Sequence, residues 1–328
     1  MPTAFLTGAT GFLGQHLVGV LLEQGWDIIA LVRDPEAARR KFDDRISLVA
    51  GDIVDINAIR TAMPEEVDCV FHAAADTSLW SPQHRHQYEI NVIGTANMVH
   101  AATDRSAKRF VHISSIAVYG DHHDMLSETS ERKGREAATN YARTKAAAER
   151  RVKEAAARGL NAVILNPCHI VGRYDAHNWA RLILQVEEGT LPGIPPGYGC
   201  FSNGRKVAEA TERAARQGAA GDTFILGGPY AGFDDFISEA AHQLSKEVTV
   251  KKTPAVVLRA MAWILAIPAF FTGKKPIITH EEVAMVCEKI NASSTKAVAT
   301  LGYEEVPLAT SIEECIAWLR EEKQLTPG

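Results

Sequence analysis

The chain has 328 residues, 46% of them hydrophobic, enough to bury a large core as one domain or two lobes. A formal net charge of -5 argues against the basic face of a nucleic-acid binder, so no nucleic-acid partner is expected. Five cysteines (Cys69, Cys168, Cys200, Cys287, Cys315) are odd in number, scattered and free of any C-x-x-C pair, which argues against disulfide and zinc frameworks and fits a reducing cytoplasm.

In chain order, Ala4, Phe5 and Leu6 make a short strand that runs into Thr7-Gly8-Ala9-Thr10-Gly11-Phe12-Leu13-Gly14. A helical pattern (Leu17, Val18, Val20, Leu21, Leu22) runs out. Unpaired N–H groups and the dipole at a helix start favour an anion such as a phosphate. Gly8 allows the turn, Gly11 lets a pyrophosphate approach the backbone, and Gly14 lets helix and strand pack closely. Entry into a strand at once, without a basic n-region or cleavage pattern, predicts no signal peptide.

Strands and helices then alternate. Asp27 to Val32, Ile46 to Val49 and Cys69 to Ala73 read as strands, with helices over Pro35 to Lys41 and Asp55 to Ala62 between them. A long helix is predicted from about Gln83 to Thr103, a strand over Arg109 to Ser114, and a helix over Asn140 to Arg158. Asn161 to Leu165 is the next strand, stopped by Pro167. The pattern predicts an α/β fold: a Rossmann doubly wound parallel sheet over 1–167, with a smaller, mostly helical C-terminal substrate lobe over 168–328. Within that lobe, a strand near 223–228 is expected to return to the main sheet. Further helices are read at 207–216, 234–245, 255–271, 280–290 and 311–322. The apolar run Ala255 to Phe271 contains Arg259 and Pro268 and just reaches spanning length; it is read as a helix covering an apolar pocket, with no transmembrane segment.

Tyr141 and Lys145 sit at i and i+4 on a predicted helix, so they share one face. An ammonium near a phenol favours the phenolate and lowers a tyrosine pKa. Ser115 ends the fifth strand of the sheet, at the edge where ligands gather in open α/β folds. It can hydrogen-bond a substrate carbonyl or cap the loop that follows; alternation sends Ser114 to the other face.

Taken together, the motifs Thr7-Gly8-x-x-Gly11-x-x-Gly14, Gly51-Asp52-Ile53, His72-Ala73-Ala74-Ala75, Asn91-Val92-x-Gly94-Thr95, Ser114-Ser115-x-x-Val118-Tyr119-Gly120, Tyr141-x-x-x-Lys145 and Leu301-Gly302-Tyr303 resemble, in order and spacing, an extended short-chain dehydrogenase/reductase of the NAD-dependent epimerase/dehydratase superfamily. The resemblance implies Tyr141 as general acid/base, Lys145 on the nicotinamide ribose and Ser115 orienting the carbonyl. It places Gly8, Thr10, Gly11, Phe12, Leu13 and Gly14 around the pyrophosphate, with Ile53, Ala74, Asn166, Pro167 and Ile170 further along the cofactor. Asp52 accepts from the adenine amine or caps a turn; Ala73 and Ala75 thin the cofactor floor or are ordinary small strand residues. Asn91 kinks its helix, either as part of a water relay or as a local helix-bending amide. His72 reads as a core histidine.

Asn166 before Pro167, and Asp76-Thr77-Ser78-Leu79-Trp80-Ser81, are similar to bacterial dihydroflavonol-4-reductase-like and 3β-hydroxysteroid-dehydrogenase-like reductases. Trp80 then lines an apolar substrate pocket or packs as an ordinary aromatic. The stretch Phe201 to Ala208 departs from the family, with Asn203 and Lys206 where aspartates are usual. A nucleotide-sugar epimerase predicts an acid at the end of the second strand and an arginine before Pro167, and neither is present. By register with the family, Val32 takes the acidic position that reads NAD ribose, and Arg33 follows it. Arg33 can pair with a 2′-phosphate, or be a solvated loop residue with Asp34 turned to the ribose. NADP(H) is the expected cofactor, reduction of a carbonyl (or oxidation of an alcohol) on a hydrophobic small molecule the expected reaction. A homodimer through the helices near 83–103 and 140–158 is implied by the resemblance.

Overall fold

A computed structural model describes residues 1–42 and 44–325; the last three residues of the expected second lobe lie outside them. Its centre is a seven-stranded sheet in the order β3-β2-β1-β4-β5-β6-β9, parallel throughout. The strands are β1 (Thr3–Thr7), β2 (Asp27–Val32), β3 (Ser47–Ala50), β4 (Cys69–His72), β5 (Phe110–Ile113), β6 (Ala162–Pro167) and β9 (Thr223–Leu226). Apart from β3 and the start of β2, they are buried runs rather than alternating ones, because helices cover both faces. On one face Ala4 and Leu6 pack with α1 (Phe12–Glu23), α2 (Pro35–Phe42) and α8 (Gly204–Gln217). On the other, Phe5 packs with α3 (Ile56–Ala62), α5 (Thr95–Asp104) and α6 (Asn140–Ala156). Strand order reverses between β1 and β4, and this opens a crevice at the carboxyl edge beside the glycine turn.

Several boundaries differ from the sequence reading for identifiable reasons. The helix expected over 83–103 is a continuous but uneven rod. A 3₁₀ turn (Ser81–Gln83) leads into α4 (His84–Tyr88), a π-helical stretch (Glu89–Gly94) and then α5. Strand β6 continues two residues past Leu165, and Pro167, which has no N–H to donate, is its last residue. β9 pairs with β6, and α8 packs along α1, so the chain from 204 to 226 is built into the central sheet and its helical layer.

The second lobe has its own core, in which Trp179, Phe201, Phe233 and Phe236 stack between α7 (Ala180–Glu188), α9 (Phe233–Leu244) and α13 (Leu308–Glu321). A small sheet, β10-β8-β7 (Tyr230–Gly232, Tyr198–Asn203, His169–Val171), lies beside it. Helix α10 (Ala255–Thr272) departs from expectation most. Rather than covering a pocket, it buries only Leu258 and Ala262, which meet Val283 of α11 (His280–Cys287), and leaves the rest partly or fully exposed. A short α12 (Thr295–Leu301) ends at Gly302, whose φ of 57° continues the turn to Tyr303.

Candidate active site

The glycine turn separates two demands. Gly8 has φ +78°, and a Cβ there would lie 2.6 Å from the Ala74 nitrogen; at Gly14 it would lie 1.9 Å from the Gly8 carbonyl oxygen. These two glycines are required by the fold's own packing. Gly11 is exposed and precedes the first turn of α1, which has neither a side-chain cap nor an acidic residue. Its nearest neighbour to a Cβ would be the Gly8 carbonyl at 3.3 Å. The orphan N–H groups of α1 therefore face an open, uncapped cradle that fits a pyrophosphate. Thr10 is exposed at its rim, with Phe12 and Leu13 half-buried behind it.

Along the carboxyl edge, Arg33 is exposed at the end of β2 and its guanidinium makes no hydrogen bond or ion pair among the described residues. Asp34 is engaged instead, its carboxylate accepting from the Ala37 N–H at 3.0 Å at the start of α2. Asp52 accepts from the Val54 N–H at 3.1 Å through one carboxylate oxygen, capping its turn. Ile53 is buried, and a Cβ on Gly94 would come within 2.6 Å of it. Ala73 and Ala74 are half-buried and Ala75 is exposed; the Ala73 N–H donates to the Thr7 carbonyl at 3.2 Å. Behind them His72 is a core residue: its ring bonds the Thr7 and Thr95 hydroxyls at 2.8 and 2.9 Å, and burial lowers its pKa to about 3.

Helix α6 brings Tyr141 and Lys145 to the end of β5. Tyr141 lies close enough to Ser115 for the serine hydroxyl to act on the phenol, and Ser115 Oγ accepts from the Ala117 N–H at 3.2 Å. Ser115 therefore caps the following turn while facing the tyrosine. Lys145 is buried and donates to the Ile113 carbonyl at 2.7 Å. Burial lowers its pKa to about 8, with the Glu149 charge opposing. The phenol differs from expectation: burial pushes Tyr141 up, and the nearby Ser115 hydroxyl only partly opposes it. The i,i+4 spacing shares a face, but the ammonium is directed at the strand carbonyl rather than the phenol. A phenol in this state holds its proton and can give it.

Three residues hold this arrangement from behind. Glu149, which sequence reasoning passed over, accepts from Ser114 Oγ at 2.7 Å, Asn166 Nδ2 at 2.8 Å, Arg132 Nε at 2.7 Å and Lys153 Nζ at 2.7 Å. Its signal was present, a carboxylate i+4 from Lys145 on the buried face of α6. Asn166 is placed differently from the expected cofactor contact. It is fully buried, and its amide N–H groups go to Glu149 and, at 3.1 Å, to the Ser115 carbonyl. Pro167 is buried beside it, and Ile170 packs partly buried against the sheet core. Asn91 lies in the π-helical stretch, where its side chain accepts from the Asp76 N–H (2.8 Å) and donates to the Asp76 carbonyl (2.9 Å) and Thr144 Oγ1 (3.0 Å). It ties the loop after β4 to α6, and Trp80, at the end of that loop, is half-buried.

Asn203, one of the departures from the family pattern, keeps a capping role. Its Oδ1 accepts from the Arg205 and Lys206 N–H groups at 3.0 and 3.2 Å at the start of α8. A surface cleft of about 580 Å³ lined by Met125, Gly228, Asn291 and Glu305 shares none of the site residues.

A parallel sheet with an uncapped glycine turn at its first crossover and a tyrosine–lysine face at its carboxyl edge defines a Rossmann enzyme of the nicotinamide-dinucleotide class. The chain belongs to the NAD dependent epimerase/dehydratase family, whose model matches residues 4–210. It is 27% identical over 335 residues to sterol demethylase protein B of Methylococcus capsulatus, covering 97% of this chain and 98% of the relative. It is 26% identical to a putative dihydroflavonol 4-reductase of Synechocystis, covering 96% and 94%. Among solved structures, the crystal structure of gox2253 superposes with a TM-score of 0.86 at 28% identity, covering 99% of this chain and all of the other.

Proposed function

We propose that the protein is an NADP(H)-dependent reductase that converts a ketone or aldehyde on a hydrophobic small molecule to the alcohol, or runs the reverse reaction. The observation that carries this reading is the meeting of Tyr141 and Ser115 at the end of β5 beside buried Lys145, whose Nζ is fixed on the Ile113 carbonyl. A nicotinamide dinucleotide held on the glycine turn and Lys145 would supply the hydride chemistry. As negative charge grows on the carbonyl oxygen, Tyr141 gives it the phenolic proton and Ser115 donates a second hydrogen bond that fixes its position. Burial keeps the phenol protonated until then, which suits the reducing direction. The buried Lys145 ammonium contributes positive charge at the same edge and has N–H donors beyond the one used on Ile113 to hold a ribose hydroxyl.

For the cofactor, the unpaired Arg33 guanidinium supports a 2′-phosphate, and the engagement of Asp34 at α2 weakens the competing ribose contact. Half-buried Trp80 and the reductase among the relatives support an apolar carbonyl substrate. We read the working form as a cytoplasmic homodimer through the α4–α5 rod and α6. The direct test is a screen of hydrophobic ketones and aldehydes with NADPH, followed at the cofactor absorbance. Oxidation of NADPH dependent on one such class supports the reading, and none across aliphatic, aromatic and polycyclic carbonyls counts against it.

A further inference from the structure

Helix α10 is 18 residues long, has a mean hydropathy of 1.9 and buries only 11% of its length. Val256, Trp263, Ile264, Ile267, Phe270 and Phe271 are 74, 70, 66, 63, 83 and 80% exposed. A helix that is apolar all round is ordinarily enclosed by protein or lipid, and a continuous exposed patch of this kind marks an interaction surface. The charges around it indicate which. Between residues 248 and 280 stand five basic residues (Lys251, Lys252, Arg259, Lys274, Lys275) and no aspartate or glutamate, in a chain whose net charge is -5. Lys252 and Lys275 pair with Asp234 and Glu282, whereas Lys251, Arg259 and Lys274 are exposed and their side chains have no partner among the described residues.

We propose that α10 seats the protein on an anionic lipid surface, its aromatic and aliphatic side chains entering the headgroup–acyl boundary and its basic flanks meeting lipid phosphates. Leu258 and Ala262 stay packed on Val283 of α11, so the helix lies along the interface and does not cross it. This surface is joined to the candidate active site. Thr279, at the start of α11, donates to the Leu79 carbonyl at 2.6 Å, next to Trp80, and Glu281 accepts from the Asn140 N–H at 3.1 Å, next to Tyr141. Lipid held against α10 thus lies on the side of the molecule that carries the substrate loop, where an apolar carbonyl compound dissolved in the bilayer would meet it. That last step rests on the proposed reductase reading; the docking does not.

The test is vesicle flotation of the full chain with phosphatidylcholine alone and with about three parts phosphatidylcholine to one of phosphatidylglycerol. We expect binding to the anionic vesicles, weaker binding to the neutral ones, and loss of the difference at about 0.5 M salt. Phe270→Asp/Phe271→Asp should bind roughly tenfold less, and Lys251→Glu/Lys274→Glu should lose the preference for phosphatidylglycerol. Both changes are on exposed side chains, so the variants should keep the wild-type melting temperature and, if the reductase reading holds, the wild-type rate on a water-soluble ketone. Absence of flotation, or equal flotation of wild type and the phenylalanine variant, overturns the proposal. So does a mass by light scattering that falls in that variant, which would mean that a second copy covers the helix. NADPH oxidation with the soluble ketone in the absence of vesicles reports on the reductase reading separately.

Discussion

Glu149 accepts a hydrogen bond from the Asn166 amide at 2.8 Å inside the protein, one helical turn beyond Lys145. Because Asn166 also holds the Ser115 carbonyl, and Glu149 also holds Ser114, the ends of β5 and β6 are fastened to the face of α6 that carries Tyr141 and Lys145. The relative position of three site residues depends on one buried carboxylate.

Glu149→Ala should therefore cost about 3 kcal/mol in a urea unfolding curve, since it strands Asn166, Ser114 and two partly buried cations. Burial pushes this carboxyl up, but Lys153, Arg132 and Asn166 outweigh it and leave the folded pKa below the ordinary 4.5. Its stabilisation is thus complete above that unfolded value and is lost as pH falls through the lower folded one. A variant as stable as wild type at pH 7 would contradict this role.

Lys145 gives a pH signature of opposite origin. Its ammonium is buried and its pKa is lowered to about 8. If its charge serves the reaction, kcat/KM should fall on the alkaline side with a midpoint near pH 8, and Lys145→Met should be slower and lack that limb. The stability consequence follows from the same shift. With the folded value below the unfolded 10.5, the buried charge is a cost at neutral pH that is relieved between about 8 and 10.5. The Lys145→Met variant should therefore gain on wild type at pH 7 and lose that advantage by pH 10 or so. A profile flat to pH 10 or so in wild type would remove the charged lysine from the account.

Arg33 sets the cofactor preference in this reading. An arginine–phosphate pair predicts on the order of 100-fold higher kcat/KM with NADPH than with NADH, falling toward parity in Arg33→Ala. Equal use of both cofactors by wild type would contradict it.

The homodimer is checked by light scattering at micromolar concentration. Tyr88 and Ile93 remain 46 and 40% exposed on the α4–α5 rod, where an apolar pair suits a symmetric contact. The mass should be that of two chains, and Tyr88→Asp/Ile93→Asp should halve it. A single-chain mass for the wild type would rule the interface out.

The parts of the molecule legible from sequence are those set by contiguous residues. The β1–turn–α1 unit was readable because apolar run, glycines and helix pattern adjoin, and β9 because Phe224 to Leu226 forms an apolar run stopped by Gly227. The tyrosine–lysine face was readable from its spacing, but not where the ammonium points, which depends on the Ile113 carbonyl of a neighbouring strand. The Asn166–Glu149 contact joins residues from a strand and a helix, so the sequence marks Asn166 as a family feature and a cofactor contact but not as the partner of Glu149. The small sheet of β7, β8 and β10 escaped for a similar reason, with two three-residue strands paired across long separations. Helix α10 was legible as a helix and not as an exposed one, because an apolar helix has the same pattern whether protein covers it or something else does.

Whether Tyr141 is the proton donor of a carbonyl reduction is settled by single-turnover reduction with NADPH in wild type and Tyr141→Phe, using the best hydrophobic ketone. The substitution removes the phenolic hydroxyl beside Ser115 while leaving the glycine turn and Arg33 untouched. If Tyr141 gives the proton, the variant's hydride-transfer step should be at least roughly 100-fold slower with NADPH affinity nearly unchanged. A rate within about twofold of wild type would contradict it.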